Sequence, residues 1–215
     1  MRHVVRVMLF FFLIGLGCLP VSAQTGDWRI REIQDRFKKI EAHCSALELE
    51  QVRTQLKSLG DEYPEVKRES AFQKMASDIT FVGKDAGSLK VKMWFQGEAK
   101  FEDSPVTLVL FWEEWCPHCR DEIGHIQDLF QRYHEKGVNV VALTRITEKS
   151  TVTSVISFLT ERDLTFSIAR EDGTMSDRFG VFGVPAAALV KDGKIIWRGP
   201  PKLLADQTLT TALSM

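Results

Sequence analysis

The sequence predicts an α/β fold: one mixed central sheet with helices on both faces, preceded by a helical N-terminal segment. Three observations predict it. From about residue 79 onward, short β-rich apolar runs alternate with stretches of helical periodicity, the signature of a sheet layered with helices. The run Leu108-Val109-Leu110-Phe111-Trp112 has the length and content of a buried strand, and a helical pattern with Ile123, Ile126, Phe130 and Tyr133 follows within a few residues. Asp192-Gly193 stands between two further apolar runs and marks a two-residue hairpin.

Taken in order, the chain of 215 residues opens with Arg2 and Arg6, then the apolar stretch Val7 to Gly17, then Val21-Ser22-Ala23. That is the layout of a secretory signal cleaved after Ala23. About 15 apolar residues fall short of the roughly 20 that a membrane span requires. An uncleaved anchor and a lipidated Cys18, following Leu16-Gly17, are the other two readings. All three put the body of the chain outside the cytoplasm, and the periplasm is the compartment expected. The division is 1–23 signal, 24–78 helical segment and 79–215 catalytic domain.

In the helical segment, Ile30, Ile33, Phe37, Ile40, Cys44 and Leu47 follow a 3-4-3-4-3 spacing, an apolar seam along one helix. Ser45-x-x-Glu48 resembles a capping box, so a break and restart is expected there, with Gly60 ending the second piece and Pro64 opening a third. Two readings stand for the seam: a lead-in packed against the rest of the chain, or a homodimer through residues 27–59. In the second, Cys44 would meet its own copy.

Strands are expected at 79–82, 89–95, 108–112, 138–143, 166–169, 186–190 and 194–198. Helices are expected after Cys116, ending at Gly137, and at 152–159, 175–179 and 203–213. The net charge of −1, without a sustained basic patch, gives no sign of nucleic-acid binding.

The chemistry concentrates in Trp115-Cys116-Pro117-His118-Cys119. The order of elements sets Cys116 at a helix N-terminus, where unpaired N–H groups and the helix dipole favour negative charge, and the thiolate is the reactive form. Cys119, three residues on, faces the same side and can close a disulfide with it. Zinc would need about four N or S ligands. All five histidines lie at or before position 134 and none forms a pair at metal spacing, so no metal and no cofactor is expected. Val184-Pro185, at the entrance to the hairpin, reads either as an ordinary loop end or as a cis peptide opposite the cysteines, shaping a groove for an extended substrate.

This Trp-Cys-x-x-Cys run after a central strand, with Val184-Pro185 before a later hairpin, resembles the thioredoxin superfamily over about residues 79–213. The leader, the run ending at Glu122 and the helix near 152–161 resemble its TlpA/ResA-like branch. Pro117-His118 and the Val before the proline are similar to the DsbA oxidases.

The resemblance implies an extracytoplasmic thiol–disulfide oxidoreductase acting on protein thiols and disulfides, more in the sense of a reductase, recharged by a membrane redox partner. Cys116 would be the exposed nucleophile and Cys119 the buried resolving thiol. The superfamily's buried Asp falls at Leu110 here, so Glu122 is the candidate base for Cys119. Pro117 and His118 are candidates for tuning the Cys116 thiolate, and Trp115, Val184 and Pro185 for contacting substrate. Glu113 and Glu114 read as solvated turn residues. An oxidase, a copper-handling protein and a redox-inert binding module on the same fold are the alternatives.

Overall fold

The computed structural model describes residues 25–215, with side chains from residue 28; the expected signal, anchor and Cys18 readings lie outside the described residues. The chain runs through α1 (Thr25–Ser45), α2 (Leu49–Glu62), α3 (Ser70–Ile79), β1 (Met93–Gln96), β2 (Val106–Phe111), α4 (Pro117–Tyr133), β3 (Val138–Thr144), α5 (Val152–Thr160), β4 (Ser167–Arg170), α6 (Thr174–Arg178), β5 (Ala186–Lys191), β6 (Lys194–Gly199) and α7 (Asp206–Ser214). One six-stranded sheet has the order β1-β4-β3-β2-β5-β6. Strands β2, β3 and β4 are parallel; β1, β5 and β6 join antiparallel.

The sequence of β2, VTLVLF, explains its central place. Every residue is buried, as expected for a strand covered on both faces. Period-two alternation divides its side chains between two cores. Val106, Leu108 and Leu110 pack with Ile123, Ile126 and Phe130 of α4, whereas Val109 and Phe111 pack with Met175, Phe179 and Ala188. The α4 residues at three- and four-residue spacing are thus the buried face, and Gly137 ends that segment at φ 103°. Between β5 and β6, Asp192 and Gly193 both take positive φ, 49° and 71°, as a two-residue hairpin of the expected type requires.

The helical segment forms a third core in which Ile40 of the seam meets Val52, Leu56, Leu59 and Val66, with Phe37 and Cys44 packed at its side. This part of the seam is therefore occupied within the chain, while Ile30 near its start is exposed. Asp78, at the end of α3, reaches the buried Arg198 of β6 at 3.0 Å, and two further guanidinium nitrogens donate to the carbonyls of Phe179 and Gly180. This latch fixes the helical segment against the sheet.

Four expectations change. Residues 79–82 are the last residue of α3 and a turn, not a strand: Ile79 packs into the helical core, and the Phe81 ring fills the space beside Gly180 that a Cβ would occupy. Of 89–95 only the end is strand, because pairing with β4 begins at Met93; Leu89 and Val91 reach the core from irregular chain. The helix does break near Ser45, but Glu48 is the N-cap without a side-chain cap, and its carboxylate pairs with His43 at 2.5 Å. The turn is made by Leu47 at φ 59°. Helix α2 runs past Gly60 to Glu62, since Gly60 is buried where Phe72 and Lys67 approach closely.

Candidate active site

The sheet delivers the Cys-x-x-Cys segment at the C-terminal end of β2. Trp112 continues the pairing through its N–H to the Leu143 carbonyl, 3.0 Å, and its ring lies against Phe158. Cys116 is the N-cap of α4 and its N–H donates to the Glu113 carbonyl, 3.1 Å. Pro117 follows at the first helical position, where the missing N–H costs nothing. Both cysteines are free thiols.

Cys116 is 6% exposed and Cys119 1%. The expected order of exposure therefore stands, but Cys116 is mostly covered, because the loop before β5 closes over it. Its Sγ lies 3.8 Å from the Val184 carbonyl oxygen, and Val184–Pro185 is cis. Burial pushes the Cys119 thiol far up; its hydrogen bond with Cys116 and the charges of Cys116 and Glu113 act in the same direction, and a hydrogen bond from the Glu113 backbone opposes them. Trp115 is 38% exposed beside the pair, with the Lys149 ammonium 4.7 Å from its ring. In the loop that carries Val184, Phe182 is 89% exposed.

Glu113 and Glu114 correct the sequence reading: both are buried. The Glu113 carboxylate accepts from the Trp115 indole N–H and faces the Arg145 guanidinium at 3.7 Å. Arg145, half-exposed, also stands 4.0 Å from the buried Glu171. Glu114 accepts from the hydroxyls of Ser150, 2.7 Å, and Ser154, 2.6 Å, which pins the start of α5 to the loop before the cysteines. The signal available for these acids was their position between Trp112 and Trp115, directly after a fully buried strand.

His118 is exposed, and Glu122, partly buried, lies one turn along α4. Both line a cleft of about 750 Å³ that runs from Pro185 past Trp197 to Ala42 and Met75 of the helical segment. The structure thus brings Cys116, Cys119, Trp115, Val184 and Pro185 together, and places His118 and Glu122 on the cleft side. Among the described residues, no group of three or more His, Cys, Asp or Glu side chains could hold a metal ion, and no helix is long and apolar enough to cross a membrane.

Such a pair of thiols can exchange with an external disulfide: one sulfur attacks, and the other closes the ring. Comparison with known proteins agrees. A thiol-disulfide oxidoreductase ResA of Bacillus cereus is 33% identical over 100 residues, 46% of this chain and 54% of that protein. The sporulation thiol-disulfide oxidoreductase A of Bacillus subtilis (strain 168) is 23% identical over 87 residues, 40% of this chain and 53% of that one. The chain spans about half the length of the curated relatives it matches. The crystal structure of a thiol:disulfide interchange protein of the thioredoxin family from Chlorobium tepidum TLS superposes with a TM-score of 0.52 at 16% identity, covering 61% of this chain and 97% of that one. That likeness shows a thioredoxin-like fold. Residues 82–198, the sheet and both arms of the site, match the AhpC/TSA family, and the chain belongs to it.

Proposed function

We propose that the protein is an extracytoplasmic thiol–disulfide oxidoreductase of the TlpA/ResA type that exchanges disulfides with protein partners and works chiefly as a reductase. One observation carries the reading: two free thiols one helical turn apart, the outer at the N-cap of α4 beneath the Val184 carbonyl and the inner almost fully buried. The likeness to ResA supports the same chemistry.

In this reading Cys116 attacks one sulfur of a partner's disulfide. A mixed disulfide forms and the partner's other sulfur leaves as a thiolate. Cys119 then attacks Cys116 Sγ, the intramolecular disulfide forms, and the partner's second thiolate departs. The partner has gained two electrons and the Cys116/Cys119 pair has lost them. Trp115 and the Val184–Pro185 segment flank the reacting sulfurs and form the docking surface, where the Val184 backbone can pair with an extended chain. His118 and Glu122 present polar groups on the cleft side of the same surface.

The leader-like first 23 residues support delivery across the inner membrane to the periplasm, where a membrane redox partner would recharge the pair. Residues 24–78 act as a helical unit latched to the catalytic domain at 79–215. The oxidase reading draws on Pro117-His118 and on Val184 before the proline. The redox state of the pair in cells separates the two directions: mostly reduced for a reductase, mostly oxidised for an oxidase.

The test is trapping. Cys119→Ser should accumulate mixed disulfides through Cys116, and Cys116→Ser should abolish turnover of a disulfide-bonded protein substrate. Turnover that persists in Cys116→Ser would refute the assignment.

A further inference from the structure

One proton in that sequence of steps has no destination. Cys119 must lose its Sγ proton before it can attack Cys116, and it is 1% exposed, out of reach of bulk water. Leu110 occupies the position from which the superfamily's carboxylate would act.

The carboxylates near the pair are not equivalent. Glu114 already has a hydroxyl donor on each oxygen, Ser150 on one and Ser154 on the other, and so faces the start of α5. Glu171 is taken up by the N–H groups of Gly173 and Met175 and by the Ser176 hydroxyl. Glu122 lies on the cleft side, with His118 and Pro185. Glu113 differs from all three. It is 4% exposed and stands in the loop that wraps the pair, with its carbonyl bound by the Cys116 N–H. One carboxylate oxygen receives the Trp115 indole; among the described residues, the other meets the Arg145 guanidinium at 3.7 Å, too long for a hydrogen bond, and is open to a proton.

We propose that the Glu113 carboxylate is the proton acceptor for Cys119, a role that rests on the dithiol reading above. The proton passes from Cys119 Sγ to Glu113 as the mixed disulfide is resolved. The Cys119 thiolate attacks Cys116 Sγ, the bond to the partner's sulfur breaks, and that sulfur leaves with the electron pair. The neutral Glu113 then releases its proton to the departing thiolate or to solvent on the half-exposed Arg145 side. The surroundings of Cys119 tie it to this residue, since the Glu113 charge raises the affinity of Cys119 for its proton and the backbone of Glu113 steadies the thiolate once formed. The charged groups facing Glu113 are Cys119, Arg145 and, through Arg145, Glu171; Lys149 covers Trp115, and Arg120 binds the Glu114 carbonyl.

The experiment follows the reduced full chain, in a Cys44→Ala background, reacting with 5,5′-dithiobis(2-nitrobenzoate). The first chromophore released reports attack by Cys116, and the second reports resolution by Cys119. With Glu113→Gln the second release should slow by roughly a hundredfold or more near pH 7, the scale of a lost proton acceptor, and should regain speed as pH rises and the Cys119 thiolate forms without it. The first release serves as the check on folding. A second phase in folded Glu113→Gln that matches the unsubstituted protein at every pH would overturn the proposal. So would a loss of that size carried by Glu122→Gln instead. Absence of any second phase in the unsubstituted protein would overturn the dithiol reading and this inference together.

Discussion

The three cysteines among the described residues meet three different environments, and their reactivity should divide accordingly. Cys44 sits between Ile40 and the α1–α2 turn; burial first, then the charges of Glu41 and Asp78, pushes its thiol up to about 11. Cys119 is pushed further up by deeper burial. At pH 7 a thiol at about 11 is ionised to only about one part in ten thousand, and the thiolate is the species that alkylates. Iodoacetamide at neutral pH should therefore label Cys116 first and leave Cys44 and Cys119 until the protein is unfolded; mass spectrometry of the three peptides checks this. Both shifts also have a consequence for stability. A thiol whose folded value lies above its unfolded one stabilises the fold below about pH 9 and loses that contribution as pH rises toward the folded value. Thermal stability should decline from about pH 9 to pH 11, and Cys44→Ala should flatten part of the decline. If instead the seam pairs with a second copy, non-reducing electrophoresis of Cys116→Ser/Cys119→Ser protein would show a dimer band that Cys44→Ala removes.

At the scale of elements, the latch between α3 and β6 is the most exacting contact. The Arg198 side chain is 2% exposed, and Asp78 is its one carboxylate partner among the described residues. Removing one member of a buried pair leaves the other charge uncompensated, at a cost of about 3–5 kcal/mol. Asp78→Ala should lower stability by about that much in a denaturant titration, whereas Lys74→Ala, which touches Asp78 from an exposed position at 3.6 Å, should cost less than about 1 kcal/mol. The core under the active site should respond in the usual way: Ile126→Ala, at a fully buried position on α4, should cost about 2–5 kcal/mol. The legibility of these elements in sequence follows from how local their causes are. The β5–β6 hairpin, the α4 face and the Cys116 N-cap each follow from residues within a few positions, and each is where the pattern places it. The strand expected at 79–82 failed because an apolar quartet reads alike as strand or helix end, and Ile79 is decided by α1 and α2 packing around it. Glu113 and Glu114 were illegible for the same reason at longer range. What keeps them buried is Arg145 after β3 and the hydroxyls of Ser150 and Ser154, 36 and 40 residues beyond Glu114.

Across the whole molecule, the thioredoxin-like sheet supplies the chemistry and the latched helical segment adds a wall. The cleft between them opens at His118, Glu122 and Pro185, so an extended partner chain reaching Cys116 from that side would touch α1 and α3 as well. The redox poise belongs to this scale, because it sums every group acting on the pair. Pro117-His118 beside the N-cap thiol argues for a reduced form better stabilised than that of thioredoxin. A reduction potential above about −270 mV is expected, and under the proposed function this would hold even with reductase work in the cell, where a recharging partner would set the direction. The most direct measurement equilibrates the full chain across a series of glutathione redox buffers and reads the peptide carrying Cys116 and Cys119 by mass spectrometry after acid quench and alkylation. The expected result is one cooperative conversion between a doubly alkylated peptide and an intramolecular disulfide, with a midpoint more oxidising than thioredoxin's and Cys44 unchanged throughout. Two thiols that remain separately alkylated at every ratio, or a glutathione adduct on Cys116 that Cys119 never displaces, would contradict it.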